Sequence, residues 1–492
     1  MESLFDVAIL SRLQFAFTIS FHILWPTLTI GLISFLTIFL VLWMRTGESG
    51  WLRLYRFWSK IFALAFGVGV VTGIPLSYQF GTNFSAFSDA AGPVLGPLLG
   101  VEVMTAFFLE AAFIGVMLFG WGRVKPRIIL LATVMVALGT HNSAFWIIVA
   151  NSWMQTPAGV EFIDGQYQVQ SWLEVIFNPS MAWRIPHMLV ACYISTALVI
   201  GSVSAWYLLK KRHDNFARSG LRATILALAV LAPLQVFIGD MHGLNTLEHQ
   251  PAKVAAMEGL WETKSGVPLV LFAIPDQEQR KNHYALEIPN LASMILTHKW
   301  DGEIKGLNEF EEHGLPSVAT VFFSFRVMVA LGTLFIALGI FGAWCLWRGN
   351  LWQRRWLLGI FVLTGPAGFV ATLAGWFVTE TGRQPWIIYG LMKTSDGLSN
   401  VPASSVLVSL VAFVVVYALM FIAFIYYASA LVRKGPESND AVEEWLAVVT
   451  HTAHLRARDS EAQRNAINDA LNEGVNKRNA KNGNAPKGEE NV

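Results

Sequence analysis

Residues 15–44 read FAFTISFHILWPTLTIGLISFLTIFLVLWM, with no Asp, Glu, Lys or Arg. A helix needs about 20 predominantly apolar residues to cross a bilayer, and this run exceeds that length. The segment after it carries Arg45, Arg53, Arg56 and Lys60. The pattern recurs outward along the chain. Charge-poor runs at roughly 15–44, 61–81, 96–121, 128–152, 185–209, 219–239, 318–347, 355–379 and 402–432 predict nine spans. The first run begins too late and runs too long for a cleavable signal peptide, so residues 1–14 are expected to form a short amphipathic lead-in on the surface.

Composition agrees. Of 492 residues, 54% are hydrophobic and 14% charged, against about 25% charged in soluble proteins. A soluble, disordered or fibrous chain is excluded, and an all-α polytopic membrane protein remains. The formal net charge of +1 makes nucleic acid no obvious partner. The two cysteines, Cys192 and Cys345, lie in apolar runs, so covalent haem c, thiolate zinc and iron–sulfur centres are excluded.

Lys and Arg in short loops mark the cytoplasmic side. They cluster after spans 1, 3, 5 and 7 and at Arg433 and Lys434, and are absent from the loop after span 2 and, up to Arg184 at the edge of span 5, from the loop after span 4. The N terminus is therefore expected outside and the C terminus in the cytoplasm. The expected organisation is spans 1–6 within 1–239, an outer loop at 240–317 with helical stretches such as 251–263, spans 7–9 within 318–432, and a cytoplasmic tail at 433–492. The tail opens as a candidate surface helix and ends in a disordered segment.

An ionisable residue inside a span costs about 2.5–3.5 kcal/mol on insertion scales and is a functional hypothesis by default. The candidates are His22, Glu102, Glu110, His141, His187, Arg326, Glu380 and Arg383. His22, Glu102, His187 and Met328 come early in odd spans, and Asn151 and Glu380 come at the ends of even spans. All fall in the outer half of the membrane, where unrelated polar residues would scatter. Glu110, eight residues after Glu102, lies about 12 Å deeper. Imidazole, thioether and carboxylate are possible haem ligands, and a His/Met pair makes an electron-transfer haem. A membrane histidine taken alone reads more often as a packing residue, and a single Met as core. The same carboxylates, Glu102 and Glu110, could equally be the coupling groups of a haem-free secondary transporter. Stacked haems on His pairs about 13–14 residues apart and histidine-rich haem–copper sites find no match here.

The segments SRLQFAFTISFH (11–22), QFGTNF (79–84), EVMTAFFLE (102–110), ALGTHNSAFWIIVANSWMQTP (137–157), GWFVTE (375–380) and GRQPW (382–386) together resemble subunit I of the cytochrome bd-type quinol oxidases. The likeness runs from about 8 to 432. The short outer loop is similar to the subgroup that includes cyanide-insensitive oxidases, and Ser77 stands where some relatives have a carboxylate.

The resemblance implies three haems. His187 and Met328 match the ligands of a low-spin haem b. His22 and Glu380 match the ligands of two high-spin haems, a haem b with a haem d or a second haem b. Glu102 and Glu110 match carboxylates of the proton path or of charge compensation. Arg326 and Arg383 match arginines beside the haems, Ser143 and Asn151 a polar proton route, and Trp376 an aromatic at the haem cluster. Lys253 and Glu258 match residues of quinol oxidation. The implied function is oxidation of quinol on the outer side and reduction of O2 to water with cytoplasmic protons, electrogenic without pumping. The implied setting is the bacterial cytoplasmic (inner) membrane, with a second membrane subunit and room for small accessory subunits.

Overall fold

The computed structural model describes residues 6–437. Residues 1–5 and the tail from 438 onward, with its expected surface helix and disordered end, lie outside the described residues. The membrane-length helices are α1 (Val7–Thr46), α2 (Ser49–Asn83), α3 (Ser85–Glu102) continued through a π-helical turn (Val103–Phe107) into α4 (Phe108–Phe119), and α5 (Pro126–Gln155). Then come short α6 (Trp172–Ile176), α7 (Met181–Leu209), α8 (Asp214–His249), loop helices α9 (Pro251–Glu258) and α10 (Leu291–Thr297), α11 (Val318–Trp347), the pair α12 (Arg355–Leu363) and α13 (Ala367–Thr381), and α14 (Ala403–Lys434). Among the described residues eight helices are long and apolar enough to span, nine with α12 and α13 taken as one span bent by 41°. Pro366, just before α13, has no amide hydrogen to continue the α12 ladder, which accounts for the bend. Helices suit this setting because each satisfies its own backbone.

Among the described residues four two-stranded antiparallel sheets decorate the connections: β1 (Val160–Ile163) with β2 (Gln166–Val169), β3 (Lys264–Ser265) with β6 (Glu303–Ile304), β4 (Leu269–Asp276) with β5 (Lys281–Ile288), and β7 (Trp386–Ile388) with β8 (Met392–Lys393). The β1–β2 turn uses Asp164 and Gly165, both at positive φ, the geometry that a two-residue hairpin favours.

The two ends of the bundle differ. At one, the Arg53 guanidinium donates to the Glu437 carbonyl at 2.8 Å, Lys60 pairs with the Glu437 carboxylate at 3.1 Å, and the Tyr207 hydroxyl donates to the Val432 carbonyl at 2.6 Å. This basic end gathers the start of α2 and the ends of α7 and α14. At the other, the loop end, the Ser85 amide donates to Ser399 at 2.7 Å, the Tyr389 amide to the Met154 carbonyl at 3.0 Å, and Asn245 to the Pro179 carbonyl at 3.1 Å. The largest apolar core fills the half toward the basic end, from Leu32 to Leu40 of α1, Leu54 to Phe62 of α2, Ile194 to Tyr207 of α7 and Phe216 to Ala232 of α8. Gly31 permits the α1–α7 approach: a Cβ there would stand 2.2 Å from Thr196 Oγ1.

Two expectations are corrected. Residues 7–14 are not a separate surface lead-in but the first turns of α1, capped by the Asp6 carboxylate, with Leu10, Ser11 and Gln14 buried. Their mixed polarity reflects packing on α14, where Ser409 donates to Gln14 at 3.0 Å. The loop helix expected over 251–263 ends at Glu258, because Gly259 takes the left-handed conformation and its amide caps the Ala255 and Ala256 carbonyls. In addition α8 continues past 239 to His249, carrying His242 with it.

Candidate functional site

Helices α7, α8, α11 and α13 pack on one another and carry His187, His242, Met328 and Glu380 in their loop-end halves. The His187 ring lies against Gly239, where a Cβ would sit 3.3 Å from its Cε1. Its Nδ1 is buried with no hydrogen-bond partner among the described residues. The His242 ring meets it edge-on at 5.5 Å, and His242 Nε2 is likewise buried and unpartnered. The Met328 thioether faces Gly375: a Cβ there would lie 2.9 Å from its sulfur. Trp376, part-buried, follows on the same helix.

Glu380, near the end of α13, is held by three side chains. Asn151 and Gln155 of α5 donate to its Oε1 at 2.9 and 3.1 Å, and Arg383 donates to Oε2. Gln155 also accepts from Lys253 of α9 at 2.7 Å. Three buried cations, Arg184, Lys253 and Arg383, act on one another here. Among the described residues Glu380 is the one carboxylate that interacts with all three. Burial, and then Arg184, drives the Lys253 ammonium well below the usual lysine range, and Glu380 pulls the other way. Nε and Nη1 of Arg383 are buried without partners. A buried surplus of positive charge with orphaned donors calls for an anionic group.

Arg326 of α11 is turned toward the outer loop. It donates to the Val270 carbonyl at 2.7 Å and to the Met257 carbonyl, pairs with Glu258 at 3.3 Å, and stacks over the Phe322 ring at 3.8 Å. Glu258 is buried, which pushes its carboxyl above the usual range against the pull of Arg326.

Glu102 and Glu110 both face α5. Ser143 donates to Glu102 at 2.6 Å and Thr140 to Glu110 at 2.6 Å, with Asn142 donating to Thr105 between them at 2.6 Å. In an unbroken α-helix an eight-residue separation turns two side chains about 80° apart. The π-helical turn at Val103–Phe107 absorbs one residue and brings them within about 20° of a common face. Gly139 lets the helices close: a Cβ there would stand 2.8 Å from Glu110 Cγ. His22 sits apart from these groups, on α1, with its Nδ1 3.0 Å from the Thr72 hydroxyl of α2. The Tyr417 hydroxyl of α14 donates to the Thr72 carbonyl at 3.2 Å. His141, another membrane histidine, is tied to Tyr193 at 2.7 Å and to its own helix carbonyl at Ala137.

Sequence reasoning missed Arg184, His242 and Gln155. Arg184 and His242 were readable as ionisable residues near span ends. Gln155 carried no signal beyond its place in the 137–157 segment.

The profile of the cytochrome bd terminal oxidase subunit I family matches residues 10–436. The chain belongs to this family. It is 36% identical over 445 residues to the cytochrome bd ubiquinol oxidase subunit 1 of Bacillus subtilis (strain 168), covering 88% of this chain and 95% of the relative. It is 34% identical over 505 residues to the cytochrome bd-II ubiquinol oxidase subunit 1 of Escherichia coli (strain K12), covering 88% and 98%. The structure of the bd oxidase from Geobacillus thermodenitrificans superposes with a TM-score of 0.81 at 31% identity, covering 88% of this chain and 99% of that one. The E. coli alignment is longer than this 492-residue chain, so that relative has positions without a counterpart here.

This family member is a multi-pass helical protein of the bacterial cytoplasmic membrane and an oxidoreductase subunit of a respiratory terminal oxidase. The transporter reading is set aside. Cytochrome membership implies haem, and the residues fit it. The unpartnered His187 imidazole and the Met328 thioether are iron ligands by type, and the orphaned Arg383 donors and the cation surplus suit carboxylates such as porphyrin propionates.

Proposed function

We propose that this chain oxidises quinol at the loop end and reduces O2 to water with protons drawn from the basic end, building membrane potential without pumping. On this reading the basic end is cytoplasmic and the N terminus outside, in keeping with the Lys/Arg bias of its short loops. The observation that carries the reading is the Arg326 contact: the residue that grips Glu258 of the loop lies two positions from Met328 on α11. That is about 3 Å of helical rise, so a quinol held by the loop lies beside the ligand set that takes its electrons.

His187 and Met328 hold a low-spin haem b. His22 and Glu380 hold the two high-spin haems, a haem b with a haem d or a second haem b. When bound, these groups supply electron transfer and oxygen reduction. The protein residues handle position and protons. Lys253 and Glu258 bind quinol, and the raised Glu258 carboxyl suits it to accept a quinol proton. Glu110, Glu102, Ser143 and Asn151 line a polar face of α5 that leads protons toward Glu380. Arg383 and Arg184 would balance the carboxylates of a bound haem, and Trp376 would pack beside it. A second membrane subunit, with or without small accessory subunits, completes the complex in the bilayer.

A pyridine haemochrome assay of the purified complex, with quinol-driven O2 uptake in proteoliposomes, tests this. Haem with quinol-dependent O2 consumption and a membrane potential is expected. A haem-free preparation, or quinol oxidation without O2 consumption, overturns it.

Two smaller predictions follow from the contacts. Glu258→Gln keeps the shape and a hydrogen bond to Arg326 but removes the charge. The variant loses the group that would accept the quinol proton, and a positioned acid–base group contributes about 10²–10⁴-fold, so quinol turnover is expected to drop by at least about 100-fold with haem content unchanged. Wild-type turnover, or loss of haem, counts against the assignment. Gly375→Ala places a Cβ 2.9 Å from the Met328 sulfur, which must shift. Because a thioether ligand raises haem potential, redox titration is expected to show a lowered low-spin midpoint. An unmoved midpoint and α-band remove Met328 from the ligand set.

A further inference from the structure

Gln155 is the last residue of α5 and is fully buried. Its partners fix which end of the amide is which. The Lys253 ammonium donates to Oε1 at 2.7 Å and Gln250 donates to the same atom at 3.1 Å. A backbone carbonyl such as that of Thr379 can only accept, so the amide nitrogen must face α13 and the oxygen α9. The amide nitrogen then faces α13, donating to Glu380 Oε1 at 3.1 Å and to the Thr379 carbonyl at 3.4 Å. Gln250 also donates to the Gln155 backbone carbonyl at 2.7 Å, which clamps α9 onto the end of α5. One buried side chain thus touches the loop lysine with its acceptor and the α13 carboxylate with its donor. Asn151 and Arg383 hold Glu380 too, but neither is seen to contact Lys253.

We propose that Gln155 is a positioning residue that transmits the placement of Lys253 in the quinol-side loop to the orientation of Glu380. The proposal rests on the reading of Lys253 as a quinol-side residue and of Glu380 as a haem ligand. A displacement of α9 when quinol enters moves the acceptor end of the amide. The planar amide passes that movement to the Glu380 oxygen on its other end. The Gln155 amide thereby adds a directional hydrogen-bonded link to the direct packing of the Lys253 stem on Gly382, with no covalent or redox step at Gln155.

The two ends of the amide can be separated by mutation in the purified, haem-loaded complex. Gln155→Leu removes both contacts. Michaelis–Menten measurements are expected to show KM for quinol rising about tenfold, the scale of a lost hydrogen bond to a charged group. The electron paramagnetic resonance signal of the high-spin haems is expected to shift, with low-spin haem content unchanged as the folding control. Gln155→Glu keeps an acceptor for Lys253 but replaces the donor to Glu380 with a like charge. Here KM is expected to stay near wild type while the high-spin signal still shifts. The proposal is overturned if Gln155→Leu moves neither readout, or if Gln155→Glu raises KM as much as Gln155→Leu does. Should Gln155→Leu not assemble, the Gln155→Glu split decides alone. Glu380→Gln tests the underlying reading separately: an unchanged high-spin signal in that variant removes Glu380 as a ligand, while the KM arm still judges the Lys253 contact.

Discussion

His187→Ala and Met328→Leu are each expected to abolish or convert the low-spin haem signal in reduced-minus-oxidised spectra, with quinol oxidase activity falling by more than about 100-fold. The magnitude follows from the position of these groups. Changes to residues that merely support a metal ligand cost about 10- to 100-fold, and loss of a ligand itself exceeds that. The design is clean because Nδ1 of His187 has no protein partner among the described residues. Its removal breaks no hydrogen bond at that atom, so a lost signal reports ligation and not a collapsed network. Met328→Leu likewise keeps an apolar side chain of similar volume against Gly375. A normal low-spin α-band in both variants would exclude the pair as ligands. Retention of the high-spin bands is the expected internal control, because His22 sits elsewhere, against Thr72 of α2.

The second large effect is expected at Glu110. It is buried and accepts the Thr140 hydroxyl at 2.6 Å. Glu110→Gln leaves an amide oxygen for Thr140, so the packing against Gly139 and α5 is preserved, while the exchangeable carboxyl proton is gone. Positioned acid–base groups contribute about 10²–10⁴-fold. Oxygen reduction is therefore expected to fall by at least about 100-fold, or the high-spin haem spectra to be disturbed. Stopped-flow oxygen reactions and a membrane-potential dye in proteoliposomes read this directly. Wild-type turnover with normal spectra and normal potential would make Glu110 a helix-packing residue and end the proposed proton route. Thr140→Val offers a graded comparison, because it removes the donor and leaves the carboxyl.

The limits of sequence reading show at particular residues. Glu102 was legible as an acid in the outer half of one span, and Glu110 as an acid about 12 Å deeper in the same span. Their shared face was not, since eight residues of α-helix point them apart and only the π-helical turn realigns them. A five-residue change of hydrogen-bond register has no hydropathy signature. Arg326 was legible as a charge early in span 7. Its grip on Glu258 depends on how the outer loop folds back over α11, which local composition does not encode. The start of α1 at Val7 escaped for a related reason: the periodicity of residues 7–14 looks interfacial until α14 is packed against it.

The sequence alone determined the number of spans, the bias of Lys and Arg toward one set of connections, and the type and depth of the candidate polar residues. These are local or one-dimensional quantities. Hydropathy is summed over about 20 neighbours, and depth follows from 1.5 Å of rise per residue. The tertiary structure alone decided which of those residues meet: Gln155 between Lys253 and Glu380, Arg184 and Arg383 beside Lys253, Ser143 against Glu102, and Gly375 against Met328. Such pairings depend on the rotation of each helix about its axis and on crossings between helices far apart in the chain. In a bundle whose helices are apolar nearly all round, the local pattern leaves that rotation open, and packing of small residues and buried polar contacts sets it.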